Sequence, residues 1–198
     1  MKERLTLENY TAEKDHIVRM SQHEQFPDIN MTEQAIFGMA AGILMDAIWQ
    51  RVLKEEFGKQ KMDELALKFW EIIGEYSYPL VQMLLKLPPE KDTWVQVKKV
   101  IKGIYRAYLV PLDIIQDDAD ALEFHILACP YESYKGLFDV IENDYVCQNW
   151  RDVHTAWLYG LCKRAGLAAE IPLSNMIMDG AICCGQQTCH VIVKRKRQ

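Results

Sequence analysis

Cysteine and histidine are the residues best able to do chemistry in this chain of 198, which holds six of the first and five of the second. Cys183, Cys184, Cys189 and His190 crowd into its C-terminal part. Zinc ribbons and fingers bring their ligands within about 4 Å of one another through Cys-x-x-Cys or His-x-x-x-His spacing. Neither spacing occurs. Cys183 and Cys184 are adjacent, and Cys184 can meet Cys189 across a tight turn at Gly185-Gln186. A zinc or iron site would therefore be built on Cys184, Cys189 and His190 with residues from elsewhere. Buried structural thiols are the plainer alternative, since free cysteine is among the most buried residue types.

A second group lies on the helical segment that starts at Tyr145. Cys147, Arg151 and His154 fall at i, i+4 and i+7 and project from one face, which also holds Trp150, Trp157, Leu158 and Leu161. A thiol beside a guanidinium and an imidazole has the partners that make it nucleophilic. The alternative is an amphipathic helix whose His154 makes one hydrogen bond in the core. His125 and Cys129 share a strand face, but they stand roughly 13 Å apart along an extended strand, too far for one ion. Asp113 and Glu123 lie on facing strands and could interact across the hairpin, which is usual sheet decoration, and Asp179 before Gly180 suits a turn or a pocket mouth. No phosphate loop, nucleophile elbow, zincin helix or kinase set is present.

The elements that must position these groups follow from hydrophobic period. Residues 1–30 are polar and read as an arm or short helix, with His16 and His23 as exposed side chains. Thr32 and Glu33 open a helix that Gly58 closes. Gly38 and Gly42, four apart, predict a close helix approach. A second helix spans about 60 to 87, where Pro79 predicts a kink or split and Pro88-Pro89 a stop. Asp92 caps a third, carrying Trp94, Val97, Ile101, Ile104 and Tyr105. The period then shortens: strands are expected at 108–115 and 122–129, helices at about 131–142 and 145–165, and a second hairpin from about 168–178 and 187–195. The domain plan is therefore an arm over 1–30 and one α+β domain over 31–198, helical to 106 and sheet-and-helix from 107. N-terminal helices precede an antiparallel sheet of about four strands, two hairpins covered by helices.

Composition narrows the classes. Hydrophobic residues at 49% supply a sizeable core. The net charge of −5 argues against nucleic acid, which needs a concentrated basic surface. The basic run Lys194–Arg197 reads as a solvated tail. No stretch approaches the ~20 apolar residues of a membrane span, and the first residues lack a signal-peptide core. Reduced thiols in the cytoplasm are the expectation.

Three stretches carry a family resemblance: Trp49 to Trp70 with Lys54-Glu55-Glu56-Phe57-Gly58, Ala128-Cys129-Pro130 followed by Tyr131-Glu132, and Asp179-Gly180 with Cys189-His190-Val191. They resemble the L-2-amino-thiazoline-4-carboxylic acid hydrolase-like family and, more remotely, 4-vinyl reductase-type small-molecule-binding domains. The resemblance spans roughly residues 35 to 195. Asp precedes Gly here, and Val191 stands where an aromatic is usual. The likeness implies a small-molecule-binding protein that hydrolyses a C–N or C–S bond in a small cyclic amide or amidine, and it favours Cys129 and Cys189 among the thiols. On that reading Cys129 or Cys147 is nucleophile or metal ligand, His154 general base and Arg151 an anchor for a substrate carboxylate.

The competing reading is a non-catalytic sensor or carrier, its apolar pocket lined by Trp150, Trp157, Phe124 and His125 together with methionines. A third expectation is a homodimer formed through the N-terminal helices, packed on Gly38, Gly42 and Trp49.

Overall fold

The computed structural model describes residues 31–129, 143–180, 182 and 186–196, with the backbone path alone for 31–36, 39 and 143–150. The chain divides into two units, 1–34 and 35–198. Of the first, only the opening turn of a helix is described; the sheet and the helices packed on it belong to the second.

Helix α1, Met31–Phe57, ends at Gly58, whose φ of +78° only glycine adopts without strain. Helix α2, Lys59–Leu84, begins immediately after. It runs through Pro79 without interruption, so the expected split does not occur. Pro79 is exposed, and the carbonyl it leaves without an amide lies on the same side, within reach of water. Helix α3, Thr93–Ala107, starts as its sequence predicts: Asp92 Oδ1 accepts the Trp94 amide at 2.9 Å. Trp94, Val97, Ile101, Ile104 and Tyr105 form its buried stripe.

The sheet has the order β1-β2-β4-β3, antiparallel throughout, from β1 (Leu112–Asp117), β2 (Ala121–Ile126), β3 (Met176–Asp179) and β4 (Cys189–Lys194). Strand β1 starts four residues later than its hydrophobic run. Tyr108 to Val110 instead close α3, with Leu109 at φ +57° and the Val110 amide bonded to the Tyr105 carbonyl at 2.9 Å. Likewise β3 is shorter than expected, because Leu167–Ile171 and a 3₁₀ turn at Leu173–Asn175 take up the first half of its run. Strand β2 ends at Ile126, which leaves Cys129 beyond it. The β1–β2 register pairs Asp113 with His125, not with Glu123, which stands two residues further along the ladder; a bulge at Ile115 then gives Glu123 the partner Gln116. The helix expected over 131–142 lies outside the described residues.

One sheet face is buried, carrying Leu122, Phe124, Ile126, Met176, Met178, Cys189, Val191 and Val193. Onto it pack α3 and helix α4, Asn143–Arg164, through Trp157, Leu158, Leu161 and Cys162. The buried Lys98 ties α3 to the hairpin, its ammonium 2.7 Å from the Asp118 carbonyl and 2.5 Å from Asp117 Oδ1. That carboxylate is held below its ordinary range by Lys102 and Lys98, against a desolvation penalty that pushes it up.

Helices α2 and α4 meet backbone to backbone. A methyl on Gly74 would stand 2.1 Å from the Trp157 carbonyl oxygen, and one on Gly160 would stand 2.0 Å from that of Glu71. Gly38 and Gly42, expected to mediate close approach, have nothing within 4 Å of such a methyl. Spacing of four within a helix is not enough: the facing backbone decides. Gly160→Ala and Gly74→Ala are therefore expected to destabilise by about 3 kcal/mol or more, because neither contact is with a side chain that could yield. Gly38→Ala and Gly42→Ala are expected to be neutral or to stabilise by up to about 1 kcal/mol. Urea unfolding of the four variants separates the pairs.

Candidate functional site

The α2–α4 crossing fixes the rotation of α4, so that Val153, His154, Trp157, Leu158 and Leu161 face inward. Helix α3 presents Tyr105 to the same place, and β2 presents Phe124. The four rings form one cluster: Tyr105 lies 5.4 Å from Phe124 and 6.0 Å from Trp157, both edge to face, and His154 lies 5.4 Å from Trp157. Such geometry aligns positive ring edges with negative faces. At its centre the Tyr105 hydroxyl is hydrogen-bonded to His154 Nε2.

Burial sets the protonation of the pair. Desolvation drives the His154 imidazole down to about 3, so it is neutral at ordinary pH. Desolvation, with a smaller contribution from the Cys189 thiol, raises the Tyr105 phenol well above its usual range. The phenol O–H therefore donates and Nε2 accepts, which places the ring proton on Nδ1. Burial also pushes the Cys162 thiol up to about 12, so it stays protonated and a poor nucleophile.

Of the residues singled out from sequence, Phe124, His154 and Trp157 come together in this cluster. His125 does not: it is on the opposite face of the sheet, edge to face with His190 at 4.9 Å. Arg151 is exposed, one turn before the buried His154. Cys129 is buried beyond the end of β2. Cys189 is buried on the inner face, its Sγ 3.3 Å from the Ile182 amide, while His190, next in the strand, faces outward. The side chains of Cys147, Trp150 and Cys184 lie outside the described residues. Among the described residues, no three His, Cys, Asp or Glu groups are arranged to hold a metal ion. For the dimer expectation, Gly38 and Gly42 are open, and Trp49 packs within the chain against Phe69, the rings 4.6 Å apart and tilted at 49°. No helix among the described residues is long and apolar enough to cross a membrane.

Tyr105 is the residue that sequence reasoning placed in the core without assigning it a role. Its helical register with Ile101 signals burial, and a buried tyrosine hydroxyl needs a partner. His154 is the nearest signal of one.

The neutral imidazole makes stability depend on pH in a defined window. The unfolded chain takes up a proton below about 6.5, and the native His154 refuses it until about 3. Stability from this group is whole above pH 6.5 and falls as pH drops toward 3, by about 2 kcal/mol at pH 5. His154→Gln is expected to lose that part of the slope, and chemical denaturation of both proteins at pH 7 and pH 5 measures it.

No protein-family model matches the chain, and no curated protein matches it. Solved structures do. A trafficking protein particle complex subunit 3 from Naegleria fowleri, covalently bound to palmitic acid, aligns over 85% of this chain and 98% of its own, at 9% identity and a TM-score of 0.53. The phenol-responsive sensory domain of the transcription activator PoxR with phenol aligns over 79% of this chain and 74% of its own, at 11% identity and a TM-score of 0.48. At 9% identity, the likeness to the trafficking subunit shows a shared fold and nothing finer.

Proposed function

We propose that this chain is a small-molecule-binding domain whose ligand rests against the Tyr105–His154 pair and its aromatic surround. The observation that carries this reading is a neutral polar pair held in a cluster of rings. A core gains more from apolar side chains than from a desolvated imidazole, so a strongly perturbed group buried among aromatics marks a candidate site. The ligand suited to it is uncharged, largely apolar and equipped with one hydrogen-bonding group. A charged one would leave water for a cluster of rings that offers no counter-charge among its described members. The related fold of a subunit covalently bound to palmitic acid supports the idea that this architecture can house an apolar group.

Binding is favoured over hydrolysis. An imidazole held neutral to about pH 3 is a weak general base, since the efficient catalytic value lies near the working pH. Arg151, the proposed anchor, is exposed where His154 is buried. The three described thiols, Cys129, Cys162 and Cys189, are all buried.

Calorimetric titration with indole and with 1-decanol tests the proposal. One probe is expected to bind with unit stoichiometry, and Tyr105→Phe and His154→Gln are each expected to weaken it about tenfold, the worth of one buried hydrogen bond. Failure of both probes to bind folded wild-type protein, or equal binding by all three proteins, contradicts the assignment.

A further inference from the structure

The outer face of the sheet holds a second set of titratable side chains that the aromatic cluster does not use. The register puts four of them on one rung across all four strands. Asp113 of β1 stands opposite His125 of β2, His125 opposite His190 of β4, and His190 opposite Asp179 of β3. The two histidine rings are 4.9 Å apart, centroid to centroid, at an interplanar angle of 64°. Glu123, on the same face, brings Oε1 to 2.8 Å from His190 Nε2. Both histidines are half-buried; Asp179 and Asp113 are exposed.

Two imidazoles bonded to one ion at about 2.1 Å hold their centroids roughly 5 Å apart, close to the separation found here. The Glu123 contact occupies Nε2 of His190 and leaves Nδ1 as the nitrogen for a metal. A carboxylate on the far nitrogen is what orients a metal-bound imidazole and makes it more basic.

From this arrangement we propose a divalent transition-metal site on the outer face of the sheet, with His125 and His190 as its protein ligands. Glu123 orients His190, and Asp113 and Asp179 flank the pair one strand to either side. No three groups among the described residues already surround one point. The site therefore has two protein ligands and completes its shell with water or with an aspartate that swings in. Imidazole with carboxylate and no thiolate suits zinc, copper or nickel, not calcium or magnesium. The bound ion would clamp β2 to β4, the two central strands.

Zinc titrated calorimetrically into the untagged, reduced chain tests the site. One equivalent is expected, with binding weakened at least tenfold by His125→Ala or His190→Ala and about tenfold by Glu123→Gln. His16→Ala with His23→Ala, and separately Cys184→Ser, are expected to leave it unchanged. Circular dichroism confirms that each variant is folded. Should a histidine variant misfold, the ring resonances of wild-type protein decide, because zinc must shift those of His125 and His190. Absence of zinc binding, binding that survives both histidine variants, loss in Cys184→Ser, or resonance shifts confined to other residues would each overturn the proposal.

Discussion

The contact on which the rest of this structure depends is between two helix backbones. At Gly74 and Gly160 the axes of α2 and α4 come close enough that a methyl group on either would overlap a carbonyl oxygen of the other helix. That approach fixes α4 in rotation as well as distance. Lys163 reinforces it one turn further on, reaching Glu71 at 2.5 Å and Glu75 at 2.7 Å, and these partners raise its ammonium above the ordinary lysine range. Both pairs are largely solvated, so they register the crossing more than they stabilise it. With α4 set in this way, its inward stripe meets α3 and the inner sheet face, and His154 falls against Tyr105.

The sheet then separates two kinds of chemistry by the alternation of its side chains. Along β4, Cys189, Val191 and Val193 go inward while His190 and Ile192 go outward. Inside, burial suppresses charge: the imidazole and the phenol are both neutral, and the hydrogen bond between them satisfies the phenol O–H and Nε2, which would otherwise be costly to bury. Outside, the half-buried His125–His190 pair and the carboxylates beside it stand within reach of water. A single-residue slip in register between β2 and β4 would exchange the two sets; the bulge at Ile115 falls on the edge strand, where it leaves that central register intact.

How much of this was legible in the sequence depends on the range of the interactions. Local signals read correctly: the Asp92 cap, the Gly58 junction and the apolar stripe of α3 are set by neighbours within a turn or two, whereas the second helix ends at Leu84, before Pro88-Pro89, in a turn with Lys86 at φ +49°. The α+β class followed from the change in period near residue 110. The long-range contacts were not legible. Gly38 and Gly42 carry the familiar spacing yet face open space, whereas Gly74 and Gly160, isolated in their own segments, make the decisive crossing. No pattern within either helix announces that the other will lie across it. The histidines show the same limit: Cys147, Arg151 and His154 share a helical period, but tertiary packing buried His154 with Tyr105 and left Arg151 in solvent. The pairing of His125 with His190 needed the β2–β4 register, which joins strands more than 60 residues apart in sequence.

The most direct test of a buried, neutral Tyr105–His154 pair at the ligand site is the side-chain nitrogen spectrum of His154, recorded across pH 4 to 8 with and without indole or decanol. A neutral ring with its proton on Nδ1 is expected throughout that range, with an Nε2 resonance that moves when one of the probes is added. A ring that titrates near pH 6.5, or an Nε2 signal indifferent to both probes, would contradict it.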